Sequence, residues 1–86
     1  MPDAEERAVL YMLSNLKDAV AAGGMEEAQG FREKPLAAAL NQFGADQNKA
    51  LQRVYDLIGR WRRGVDGATR NDVLGAINRA IRLFEN

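Results

Sequence analysis

An all-α fold, a compact bundle of four to six short helices packed antiparallel or in a Greek-key-like order, is what this sequence predicts. Apolar residues recur at three- and four-residue steps in successive stretches, the spacing that lines one face of a helix. Capping residues or glycines punctuate those stretches. No stretch shows the period-two alternation of apolar and polar residues that a half-buried strand requires. Short connections favour antiparallel or steeply crossed neighbours, and 86 residues suit a single helical domain over 1–86.

Asp3 is placed as an N-cap with Glu6 three residues on, a capping-box variant that also sets acids at the positive end of a helix. That helix should run to about Ala22, burying Val9, Met12, Leu13, Leu16, Ala19 and Val20, and end at Gly23 and Gly24. Over 25–34, Met25, Ala28 and Phe31 suit one helical face, but Gly30 weakens any helix there by about 1 kcal/mol, so the spacing predicts a short or irregular one. Pro35 fits the first turn of a further helix, where its missing N–H costs nothing. Leu36, Ala39, Leu40 and Phe43 would form its apolar face and Gly44 its C-cap. Asp46 can cap the next helix, which carries Ala50, Leu51, Val54, Leu57, Ile58 and Trp61 and stops at Gly64. A turn over 65–68 leads to Thr69 and Asp72, a second capping pair, and to a last helix with Val73, Leu74, Ile77, Ala80, Ile81 and Phe84 inward. Gly59 and Gly75 sit inside strong helical patterns and cost stability there, which points to close helix–helix approach or to a smooth exposed patch.

The composition excludes most chemistry. With no His and no Cys, the chain lacks imidazole proton shuttles, thiolate nucleophiles and the usual ligands of zinc, haem and iron–sulfur clusters. Ser14 and Lys17 lie one turn apart on the first helix, but nothing supplies an oxyanion hole or a cleft for them. Glu5, Glu6, Glu26 and Glu27 fall in first turns that the helix dipole already explains. The oxygen-ligand alternation of a calcium loop is broken at Ala68 and Arg70. An enzyme, a cofactor, a metal and a small-molecule substrate are therefore not expected. The 47% apolar residues and the balance of 12 basic against 12 acidic residues argue for a folded chain. The longest uncharged stretch, Pro35 to Ala45, is far short of the roughly 20 residues that cross a membrane. Without cysteine or a signal-peptide pattern, a cytoplasmic location is expected. A chain this small buries only about 60% of its unfolded surface, so association would help it.

The zero net charge conceals a bipolar chain: residues 1–43 are net −3 and residues 44–86 net +3. Arg53, Arg60 and Arg63 share one face of the Trp61-bearing helix, and Arg79 and Arg82 form a similar pair on the last helix. The expected partner-binding residues are Arg53, Arg60, Arg62 and Arg63, meeting acids such as Glu26, Glu27 and Glu33 across an interface with a protein partner or another copy. The alternative is a helix-turn-helix-like nucleic-acid binder that reads base edges with Arg70, Asn71 and Asp72 at the start of the last helix. Trp61 and Tyr55 could stack a base, but they lie on or beside the apolar stripe, where core packing accounts for them.

Leu51, Val54, Leu57, Trp61, Gly64, Ala68, Thr69, Val73, Leu74, Ile77 and Ile81 trace an amphipathic helix ending in Trp, a short polar turn and an Ala-Thr pair opening a final helix. This stretch, Leu51 to Leu83, resembles the last two helices of the death-domain superfamily. The resemblance covers a little over a third of the chain and departs from the family between Phe43 and Ala50, where a helix is missing. It implies a Greek-key-like bundle of five or six helices that acts by binding similar domains through oppositely charged faces. Residues and resemblance together predict a non-catalytic protein–protein interaction module, an adaptor or a small inhibitory regulator.

Overall fold

In the computed structural model, which describes residues 2–85, the apolar stripes become four helical rods with no strand among the described residues. Helix α1 spans Ala4–Ala21, α2 Met25–Phe31, α3 Ala37–Ala39, α4 Ala45–Arg63 and α5 Arg70–Glu85. A π-helical turn, Arg32–Leu36, joins α2 to α3 as one bent rod. The radius of gyration of 11.8 Å matches the roughly 12 Å expected for a single unit of this length.

Local signals place the ends of the long helices. The Asp3 carboxylate accepts from the Glu6 N–H at 2.8 Å while Glu6 accepts from the Asp3 N–H at 3.2 Å, closing the predicted capping box. Gly64 ends α4 in the left-handed conformation at φ 71°, and the Val65 N–H returns to the Arg60 carbonyl at 3.0 Å. Before α5, the Thr69 N–H and hydroxyl both donate to Asp72 at 2.9 Å, and the Asp72 N–H donates to the Thr69 hydroxyl at 3.2 Å.

The core is built as the stripes predict. Leu13, Leu16, Val20, Leu36, Leu51, Val54, Ile58, Val73, Ile77 and Phe84 are fully buried, and Trp61 is buried among them. Helix α5 runs antiparallel to both α1 and α4, whose starts meet through the 2.8 Å hydrogen bond that Gln47 donates to Glu6. At the far end Arg70 donates to the Ala21 carbonyl at 3.2 Å. The Phe84 ring meets Phe43 edge-on, with centroids 5.0 Å apart.

The connection from 25 to 46 differs from the sequence expectation at three residues. Pro35 does not open a new helix; it lies inside the π turn that continues α2. Proline has no N–H and its ring crowds the carbonyl four residues back, so the helix widens by one residue here, and the Ala37 N–H bonds to the Arg32 carbonyl instead. Gly44 is not the C-cap of that helix but the N-cap of α4, extended at φ −64°, ψ 163°, its N–H donating to Gln47 at 3.2 Å. Asp46 is consequently in the first turn of α4 and not its cap, where its charge still suits the helix dipole. The rod ends at Ala39, where Leu40 turns extended at φ −60°, ψ 135° and Asn41 follows in the left-handed conformation at φ 66°. Asn48 then clips Phe43 from α4, accepting from its N–H at 3.1 Å and donating to its carbonyl at 2.7 Å.

A half-buried clasp holds the bent rod on α4. The Arg32 Nε donates to the Tyr55 carbonyl at 2.7 Å, and its guanidinium carbon lies 3.9 Å from the Tyr55 ring centroid. Gly59, one turn on, makes room for it: a Cβ there would stand 2.7 Å from Arg32 Nη2. The close approach that the interior glycine predicted is therefore made by a side chain, not by a helix backbone.

Candidate interaction surface

The exposed side of α4 repeats at three- and four-residue steps: Lys49, Arg53, Asp56, Arg60 and Arg63 are all exposed along one face. At 1.5 Å of helix rise per residue, the stripe from Lys49 to Arg63 is about 21 Å long. Lys49, Arg53, Asp56 and Arg60 line an open cleft of about 530 Å³ with Asn41, Asn48, Gln52 and Leu57. A second groove of about 390 Å³ runs from Lys49 and Arg53 across to Ala76, Arg79 and Leu83 of α5. Helix α4 is cationic outward because the apolar residues of its 3.6-residue period are all turned to the core.

Among the described residues no acid lies within ion-pairing distance of Lys49, Arg53, Arg60 or Arg63. Asp56 is engaged by Gln52, which donates to it at 3.1 Å. Arg53 does act at longer range on Asp72, whose carboxyl is held below its ordinary value. The backbone N–H of Thr69 is the largest cause and its hydroxyl the next; desolvation opposes them, and the Arg53 charge adds the weakest lowering contribution.

The other residues expected at an interface are distributed differently. Arg62 leaves the stripe and pairs within the same chain with Glu26 at 3.4 Å, an exposed contact worth no more than about 1 kcal/mol. Glu33 accepts from Gln29 at 2.8 Å. Glu27 is exposed on α2 at the edge of a shallow depression with Gly30, Phe31, Lys34 and Pro35. So Arg53, Arg60 and Arg63 come together on one face, whereas Arg62 joins Glu26 where α2 crosses α4. Lys49 is the member of the stripe that sequence reasoning passed over; its place four residues before Arg53 is the signal that marks it.

Of the three residues proposed to read nucleic acid, all exposed, Arg70 and Asp72 make bonds within the chain. Arg70 donates to the Ala21 carbonyl, and Asp72 is occupied by Thr69. Helices α4 and α5 form an antiparallel hairpin, with Leu83 near Asp46 and Lys49, which differs from the steep crossing of a helix-turn-helix. No group of three or more Asp or Glu side chains is placed to hold a metal ion among the described residues. No helix of the described residues is long and apolar enough to cross a membrane. No protein-family model, curated protein or solved structure matches the chain.

Proposed function

We propose that this chain is a non-catalytic protein-interaction module, an adaptor or a small inhibitory regulator, that docks through the cationic stripe of α4 onto an acidic surface of a protein partner or of another copy. The observation that carries this reading is the stripe itself: four exposed cations, Lys49, Arg53, Arg60 and Arg63, on a rigid helix without an acid in ion-pairing distance among the described residues. Rigid placement matters because the backbone of α4 is fixed by a buried face that includes Leu51, Val54, Ile58 and Trp61. Asp56 in the middle of the stripe favours a protein over a nucleic acid, since a uniform phosphate backbone would meet that carboxylate with repulsion. The capping and interhelix bonds of Arg70 and Asp72 weigh the same way.

The test is fluorescence anisotropy at low salt with two labelled probes, an acidic amphipathic peptide and a short DNA duplex. The peptide should bind and the paired reversal Arg53→Glu with Arg60→Glu should remove that binding, while the duplex gives no shift. Duplex binding that falls steeply with salt, or peptide binding indifferent to the reversal, would overturn the reading.

A further inference from the structure

The outward face of the bent rod carries a feature independent of the α4 stripe. Glu27, Gly30, Phe31, Lys34 and Pro35 line one shallow, mainly apolar depression. Phe31 is half-buried and the other four are exposed. Gly30 sits in the interior of α2, yet a Cβ built on it would meet nothing within 4 Å. Packing within the chain gives no reason for the missing side chain, in contrast to Gly59, which Arg32 fills. A bare backbone on an exposed helix is what a second helix needs in order to approach closely.

The charges around that bare point are self-complementary. Glu27 and Lys34 are seven residues apart, about two helical turns, with Gly30 and Phe31 at their midpoint. Neither has a hydrogen-bond or ion-pair partner among the described residues. A two-fold axis through that midpoint sets a second copy antiparallel, so that Glu27 of each chain faces Lys34 of the other. Phe31 of each chain then packs against Gly30 of the other at the axis, while the two Pro35 lie at the outer ends of the patch. A partner carrying one sign of charge would satisfy only one end of this patch, whereas the same patch rotated by half a turn satisfies both.

We infer that the Glu27–Pro35 face of α2 and the π turn is an isologous homodimer surface, centred on Gly30 and Phe31 and registered by reciprocal Glu27–Lys34 pairs. The face is only about 12 Å long, well under a standard interface, so the dimer is weak and forms at high protein concentration. It stops at two chains, because an isologous contact uses up its own surface.

Sedimentation equilibrium over a concentration series tests this. The wild type should show a monomer–dimer equilibrium through this face, and the Arg53→Glu with Arg60→Glu variant, whose α4 cannot recruit further copies, should show no species larger than the dimer. Glu27→Lys and Lys34→Glu should each lose the dimer, the double exchange should regain it, and an equimolar mixture of the two single variants should form a mixed dimer. All these positions are exposed, and circular dichroism of each variant confirms an intact fold. The Arg53→Glu with Arg60→Glu variant should dimerise like the wild type, which separates this surface from the α4 stripe. A wild type that stays monomeric, a dimer unaffected by either single reversal, or a double exchange that fails to restore it would overturn the inference. Peptide binding by α4 would stand in each of those cases.

Discussion

Replacing Gly59 by Ala should destabilise this protein, although the same change in an exposed helix interior ordinarily stabilises by about 0.5–1 kcal/mol. The added Cβ would fall 2.7 Å from Arg32 Nη2 and 3.0 Å from its Cζ, so the guanidinium has to shift, and it is anchored by two contacts that a shift disturbs. Losing both outright, the 2.7 Å hydrogen bond to the Tyr55 carbonyl at about 1.5–3 kcal/mol and the stacking over the Tyr55 ring at about 0.5–1 kcal/mol, sets the upper bound of the cost. Set against the helix gain of about 0.5–1 kcal/mol, the net loss is at most about 1–3.5 kcal/mol. At about 4–8 °C per kcal/mol for a chain of this length, a net loss of about 1 kcal/mol already lowers the melting temperature by about 4–8 °C. Urea unfolding followed by the fluorescence of Trp61, the single and buried tryptophan, reads the change directly. The decisive comparison is a double-mutant cycle. In an Arg32→Ala background the clash has no partner, and Gly59→Ala should turn stabilising by about 0.5–1 kcal/mol. A Gly59→Ala effect of the same sign and size in both backgrounds would refute the clasp as the reason for the glycine.

Two further outcomes follow from the core and the second capping box. Phe84→Ala removes a fully buried ring and its edge contact with Phe43 and should cost about 3–5 kcal/mol, measured by the same urea transition; a loss under about 1 kcal/mol would show that this end of the bundle is not packed as described. Asp72 has a folded-state pKa below its ordinary value of 3.8, so its cap adds stability above that pH and loses it as pH falls through and below it. Stability curves of the wild type and of Asp72→Asn should therefore differ near neutrality and converge on the acid side, and parallel curves throughout would contradict the Thr69–Asp72 bonds.

The legible parts of the fold are those decided within one turn of helix. Asp3 with Glu6, Gly64, and Thr69 with Asp72 each complete their bonds with residues no more than five positions away, so the sequence displays both partners together. The buried faces of α1, α4 and α5 are legible for a related reason: a 3.6-residue period leaves one side apolar whichever neighbour later covers it. The cationic stripe was readable as Arg53, Arg60 and Arg63 on one face by the same periodicity. The pairing that takes Arg62 out of that set was not, because Glu26 reaches it across 36 residues and only the crossing of α2 over α4 brings them together.

What the sequence determined by itself is an all-helical chain with three long amphipathic rods, their caps and their inward residues. The tertiary structure alone decided the fate of 25–46. Pro35 could open a helix or widen one, and Gly44 could close one helix or begin the next; both choices satisfy local backbone preferences. The outcome was settled by contacts distant in sequence. Arg32 found a carbonyl and a ring 23 residues away beside a glycine with room for it, and Phe43 was drawn to Phe84 at the end of the chain. Those contacts fix where the bent rod lies, and with it which charges face outward, because a side chain's partner across the bundle depends on how whole helices pack and not on the residues beside it.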